Sequence, residues 1–154
     1  MLNFKIKDFL GNDILLKPRV ENYEQKTFMG KTLPGLAIVL DIVDESGKVL
    51  EQFDVLTKSF GEYIGIKNAA YIDTNNCSYA EQLLQYRIAV NTGITKESGF
   101  CIYPLWRFDE AFLKEIGSQN YLSYASAYDK LMGSILEGEP SNEEPTEEKN
   151  DIKM

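Results

Sequence analysis

The chain has 154 residues, with 24 Asp+Glu against 16 Lys+Arg, a net charge of -8 and no histidine. That length fits one domain of ordinary size, and a 44% hydrophobic content excludes a wholly disordered chain. The acidity argues against a surface built to neutralise nucleic-acid phosphates, and the missing histidine removes the commonest general base and metal ligand.

Taken in chain order, Leu2, Phe4 and Ile6 alternate with Asn3, Lys5 and Lys7, the period-2 pattern of a half-buried strand. Gly11-Asn12-Asp13 turns the chain and Ile14-Leu15-Leu16 returns it, predicting a hairpin over residues 2–8 and 13–18. Residues 19–35 are polar and carry Gly30, Pro34 and Gly35. They read as a loop with a ragged edge strand near Thr27–Met29. Residues 36–43 form the clearest strand, with Ile38, Leu40 and Ile42 on one face. The turn 44–48 leads to a partner over 48–57, with Val49, Phe53 and Val55 on one face. A loop over 58–65 and a short strand over 68–73 follow.

Asn76 or Ser78 is expected to cap a helix over 78–90, in which Ala80, Leu83, Leu84, Arg87 and Ile88 make an i, i+3, i+4 stripe. The run Phe100–Phe108 is β-prone, but Pro104 cannot donate to a ladder, so this strand is expected at an edge or broken there. Asp109 is placed to cap Glu110–Ile116, with Gly117 as the stop. Ser118 then opens a last helix through Leu136, on which Tyr121, Tyr124/Ala125, Tyr128, Leu131/Met132 and Ile135 share a face. Strands first and helices last predict an α+β fold: an antiparallel sheet of about five or six strands, one helix after the central strands and one or two C-terminal helices.

Residues 137–154 hold seven acids and two lysines, leaving -3 for the other 136 residues. With Ile152 and Met154 as its main apolar residues, this segment cannot bury enough area to offset its ordering entropy. The expected organisation is a single domain over 1–136 and a disordered acidic tail over 137–154. No signal peptide and no membrane span are expected. Cys77 and Cys101 are too few for a disulfide scaffold or a zinc site, which fits a soluble, cytoplasmic protein.

Motifs for chemistry fail on inspection. Met29-Gly30-Lys31-Thr32 lacks the glycine that a phosphate-binding loop needs, since Gln25 stands there. Asp73–Ser78 opens like a calcium loop, but the sixth position is Ser78 and the twelfth is Leu84. No cofactor and no metal is therefore expected. Two clusters remain as binding candidates. Asp73, Asn75 and Asn76 form the best polar group near a strand end. The competing reading is a turn in which Asp and Asn side chains bond backbone amides. Tyr103 and Trp106 offer large rigid surface with a polar tip, and their competing reading is core packing.

Tyr71-Ile72-Asp73-Thr74-Asn75-Asn76-Cys77, then Ala80-Glu81, then the stretch Ser98-Gly99-Phe100-Cys101-Ile102-Tyr103-Pro104-Leu105-Trp106-Arg107-Phe108 resemble a bacterial domain family of unknown function. The resemblance covers 36–108 well and 1–35 weakly. It departs at Ser78 and Tyr79, where the family pattern has Pro and Trp. It implies small acidic proteins of gut-type anaerobes, often carried on mobile elements, with one relative linked to inhibition of an RNA-guided CRISPR nuclease. The expectation is a non-enzymatic protein that binds a protein partner, with neither nucleic acid nor membrane engaged directly. The alternative is an enzyme or small-ligand-binding domain with a pocket near Asp73 and Tyr103.

Overall fold

A computed structural model describes residues 3–26 and 32–136. The strand expected near Thr27–Met29 and the tail 137–154 lie outside the described residues. The fold is α+β, and every strand pairing is antiparallel. The eight strands seen among the described residues divide into two sheets of four, where one sheet of five or six was expected.

Sheet one has the order β1 (Phe4–Lys7), β2 (Asp13–Lys26), β3 (Thr32–Val43), β4 (Val49–Val55). The first hairpin forms as the alternation predicts: Phe4 and Ile6 are buried, while Lys5 and Lys7 are exposed. The expected loop over 19–35 is not one. Residues 19–26 and 32–35 continue β2 and β3, which stay paired to Lys26↔Thr32. Polar Arg19 and Glu21 alternate with buried Val20, so hydrophilic composition marks one face of a strand. The 44–48 turn forms around Asp44, whose Oδ1 accepts from Ser46 N at 2.9 Å, Ser46 Oγ at 2.6 Å and Lys48 N at 2.9 Å. Gly47 takes φ +90° there. Of the face expected on β4, Phe53 packs against the core, whereas Val49 and Val55 are exposed. Two register shifts against β3 set β4 out of simple alternation.

Leu56 joins the sheets. It lies between β4 and β5 (Thr57–Lys58), donates its N–H to Ile38 O at 2.9 Å and accepts from Asp73 N at 2.8 Å. One fully buried residue thus carries the chain round the corner from one sheet to the next. Sheet two has the order β5, β6 (Ala69–Ile72), β8 (Cys101–Phe108), β7 (Ala89–Ser98). The strand holding Pro104 is therefore central and unbroken, where an edge or a break at Pro104 was expected. Proline is tolerated because the β6 ladder reaches only Leu105, so Pro104 has a strand on one side alone.

The expected helix over 78–90 is shorter. An α-helix α1 (Ala80–Leu83) passes into a 3-10 turn (Leu84–Tyr86), and Arg87 turns left-handed at φ 58°. Of the stripe, Ala80, Leu83 and Ile88 are buried and Leu84 is half-buried, whereas Arg87 is exposed. The backbone reaches Ile88 through a turn, and β7 follows at once. Neither Asn76 nor Ser78 caps α1, whose N-cap is Tyr79 without a side-chain bond.

The C-terminal helix α2 (Glu110–Leu136) follows the expected plan closely. Asp109 Oδ2 accepts from Phe112 N at 3.1 Å, a side-chain N-cap. The helix breaks at Ser118, which is non-helical. Tyr121, Tyr124 and Tyr128 face inward and are buried. They join Phe4, Leu16, Val20, Ile38, Leu40, Ile72, Trp106, Phe108 and Leu113 in one core between the sheets and the helix. Each such aliphatic or aromatic side chain contributes about 1.5–3 kcal/mol on burial.

Candidate interaction surface and the Asp73 turn

Asp73 stands just beyond β6 and organises its turn. Its carbonyl accepts from Cys77 N at 2.8 Å and Asn76 N at 3.2 Å, and its Oδ2 accepts from Asn76 Nδ2 at 2.9 Å. Asp73 Oδ1 also accepts from Asn76 N at 3.4 Å, the side-chain-to-amide bond that the competing reading describes. Asn75 and Asn76 are exposed beside it.

Tyr103 and Trp106 point to opposite faces of β8. Trp106 is 1% exposed in the core, with its ring 6.2 Å from Phe108. Tyr103 lies on the outer face of sheet two with Tyr71 and Leu105, and Phe60 covers it edge-on at 5.1 Å and 64°. Loss of water, the Cys101 thiol and the Asp73 carboxylate, in that order, raise its phenol pKa. So Asp73 and Asn76 come together, Tyr103 lies within reach of the Asp73 charge, and Trp106 is separated from them by the sheet.

A tight cleft of about 20 Å³ opens beside this face, lined by Lys58, Phe60, Tyr63, Tyr71, Tyr124 and Tyr128 among others. That is room for one water molecule. Wider, open grooves of about 340 Å³ and 470 Å³ lie over Ala37, Val39 and Val55 and beside Lys7, Asp13 and Glu81. Neither is lined by Asp73 or Tyr103. Among the described residues, no group of three or more Cys, Asp or Glu is placed to hold a metal ion. Both thiols are free, and burial pushes Cys77 up to about 11.

A different feature stands out on the surface. The β7–β8 hairpin turns through Gly99 at φ +62°, and Phe100 beside it is fully exposed. Val90, Ile94 and Ile102 on the same hairpin are about half exposed. The sequence predicts a strand over the run Phe100–Phe108, with Tyr103 and Trp106 as its binding candidates, and does not single out Phe100. Its only local sign of a tip is the Ser98-Gly99 step before Phe100.

The model of the family described as Domain of unknown function (DUF4313) matches residues 18–127. The chain belongs to this family. The DUF4313 match runs from β2 into α2, so it takes in the Asp73 turn and the whole β7–β8 hairpin, and it extends beyond the 36–108 core of the expected resemblance. No curated protein and no solved structure matches the chain. Among the described residues, no helix is long and apolar enough to cross a membrane.

Proposed function

We propose that this DUF4313 protein acts by docking onto another protein, with the β7–β8 hairpin as its contact element, and that it is not an enzyme. The observation that carries this reading is Phe100, wholly exposed at a hairpin tip, with Ile94 and Ile102 about half exposed on the two strands of the same hairpin. Leaving a large aromatic ring in water forgoes about 1.5–3 kcal/mol of burial, and a partner's pocket recovers it. Aromatic anchors of this kind dominate interface energetics. The chain's lack of histidine and the raised Cys77 pKa fit binding better than nucleophilic chemistry.

In its finer form the proposal is a cytoplasmic accessory protein of a bacterial mobile element, acting against a host defence system of the CRISPR type. The support is the resemblance carried by Tyr71–Cys77 and Ser98–Phe108, together with a net charge of -8 that speeds encounter with a basic partner. A small-ligand pocket near Asp73 and Tyr103 has less support, since Asp73 is engaged in its turn and the cleft beside Phe60 is small.

The test is affinity capture from a bacterial host lysate with wild type and Phe100→Asp, each first checked for an unchanged circular dichroism spectrum. The expected result is a stoichiometric partner held by wild type and lost by the variant. Equal capture by both chains, or no stoichiometric partner for wild type, overturns the reading.

A further inference from the structure

Among the described residues the two sheets have four edge strands, β1, β4, β5 and β7. An edge strand exposes main-chain N–H and C=O groups that will pair with a strand offered to them, and folded proteins close most of them. Three of the four carry such a device. On β1, the Tyr86 hydroxyl accepts from Lys5 N at 2.9 Å and donates to Lys5 O at 3.1 Å. The Gln82 amide accepts from Lys7 N at 3.0 Å and donates to Lys7 O at 3.2 Å. Two side chains from α1 and its 3-10 turn thus stand in for a neighbouring strand. On β4, the register shifts leave Leu50 and Phe53 as extra residues, so that edge has no straight run. β5 is two residues long and ends in exposed Lys58.

β7 is different. Its middle is closed: Thr92, Gly93 and Ile94 lie between the pairs Asn91↔Trp106 and Thr95↔Pro104, opposite Leu105 alone. There Gly93 N donates to Asn91 Oδ1 at 2.9 Å, and Ile94 N to Thr92 Oγ1 at 3.1 Å. Beyond this bulge, Thr95–Ser98 runs in unbroken register to the turn at Gly99 and Phe100. A hairpin with two loop residues closes on a hydrogen-bonded pair, here Ser98 with Cys101, and bonded and non-bonded pairs then alternate. Lys96 therefore aims its N–H and C=O at Tyr103, while Thr95 and Glu97 turn theirs away from β8 to the open edge. Pro104 agrees with this phase, since it stands opposite Thr95 in a pair that needs no N–H. Thr95 and Glu97 are exposed.

A second copy fits this edge poorly. Antiparallel pairing of the segment with itself crosses the two-fold axis at one residue. Crossing at Lys96 or at Glu97 sets like charges side by side. Crossing at Thr95 sets Glu97 against the bulge at Gly93, and crossing at Ser98 runs the ladder off into the turn. The charge left over selects a different occupant. Lys96 is held by Glu62 at 3.1 Å, whereas Glu97 has no ion-pair partner among the described residues. We propose that Thr95–Ser98 receives an extended segment of a partner protein as a fifth strand of sheet two, main chain to main chain, with a Lys or Arg of that segment across from Glu97. The inference rests on reading the β7–β8 hairpin as the contact element and adds how a partner engages it.

The test uses the full chain and two-dimensional NMR of backbone amides. In the free protein the amides of Thr95 and Glu97 are expected to exchange quickly with solvent and that of Lys96 slowly. The probe is a synthetic octapeptide of alternating valine and lysine. It is expected to shift the amides of Thr95–Ser98 and to slow exchange at Thr95 and Glu97. The same octapeptide N-methylated at every residue keeps its charge, cannot pair, and is expected to do neither. Thr95→Pro removes an outward N–H at an edge position that accepts proline. It is expected to weaken the valine–lysine peptide about tenfold, the worth of one hydrogen bond. Glu97→Lys is expected to turn the preference to a valine–glutamate peptide. Slow exchange at Thr95 and Glu97 in the free protein, equal binding of the N-methylated peptide, or shifts confined to another surface each overturn the inference. So does a dimer in sedimentation whose formation protects those two amides. Partner capture lost with Phe100→Asp yet unchanged by Thr95→Pro overturns the strand pairing alone. Peptide pairing at Thr95 and Glu97 beside capture that Phe100→Asp leaves unchanged overturns the hairpin-tip reading alone.

Discussion

The Tyr121 hydroxyl donates to Asn68 Oδ1 at 2.9 Å, across 53 residues of sequence and inside the core. The same asparagine donates its N–H to the Tyr124 hydroxyl at 3.0 Å and holds φ at 69°, a left-handed conformation that asparagine adopts more readily than most residues. Two helix tyrosines thus fasten the entry to β6. Tyr121→Phe keeps the ring and leaves Asn68 Oδ1 buried without its donor, a loss of about 1–3 kcal/mol. Urea unfolding measures it; a change under about 0.5 kcal/mol means the bond adds nothing that water does not supply.

Gly117 and Ser118 at the break in α2 respond in opposite directions to a change of one methyl or hydroxymethyl group. A Cβ on Gly117 would collide with Tyr121 Cβ and stand 3.0 Å from Val20 Cγ2. Both neighbours are core atoms with little room to move, so Gly117→Ala is expected to cost about 1–3 kcal/mol. Ser118 holds φ 46° and ψ -132°, a region suited to glycine. Ser118→Gly relieves that strain at the cost of a freer unfolded chain, for a net gain of about 1 kcal/mol or less. Thermal unfolding of the two variants decides it, and a stabilised Gly117→Ala or a clearly destabilised Ser118→Gly contradicts the packing described.

What the sequence disclosed depended on whether local chemistry acted alone. Asp109, Gly117 and the tyrosine stripe were legible because a cap, a break and a helical face are each set within a few residues. The Asp73 turn was legible for the same reason, since short polar side chains bond the backbone beside them. β2 was lost beyond Pro18 because its outward face is charged: Arg19 Nε donates to the buried Asp41 Oδ2 at 2.8 Å, a pairing 22 residues away that no local window contains. The 78–90 stripe failed in the other direction. Ala80, Leu83 and Ile88 are buried as a helix would bury them, yet Arg87 turns the chain, so periodicity reported burial and missed the backbone. Pro104 looked like an edge marker because the point at which β6 stops is a tertiary fact. Phe100 went unforeseen because nothing in an aromatic run says where the core ends.

The chain's one tryptophan offers a direct check on that core. Trp106 is 1% exposed among aliphatic and aromatic neighbours, one residue from exposed Arg107 on the other face. Its fluorescence is expected to be blue-shifted and insensitive to iodide in the native protein, moving to longer wavelength only on unfolding. Native emission quenched by iodide as strongly as that of the unfolded chain would put Trp106 on the surface and reopen it as a binding residue.

The two thiols differ enough to be told apart by reagent and by pH. Cys101 is partly exposed in β8, whereas Cys77 is buried behind the Asp73 turn, with Sγ 3.7 Å from Val55 O. Burial above all, then the charges of Asp54 and Asp73, push the Cys77 thiol from its ordinary 9.0 up to about 11. Iodoacetamide at pH 8 is therefore expected to modify Cys101 first and Cys77 only as the protein unfolds. The linkage has a definite sign. The fold favours the protonated thiol, so below pH 9 both states hold the proton and Cys77 adds no slope. Between pH 9 and 11 the unfolded chain gives up its proton and the native chain keeps it, so stability falls as pH rises. The buried Tyr79 phenol, raised chiefly by burial, adds to any alkaline loss above pH 10. Cys77→Ala deletes the thiol's share and is expected to flatten the decline between pH 9 and 10 while costing some stability at neutral pH. Mass-spectrometric mapping and urea midpoints against pH check both parts. Equal alkylation of the two cysteines in the native state, or a wild-type midpoint that holds level to pH 11, contradicts the buried thiol.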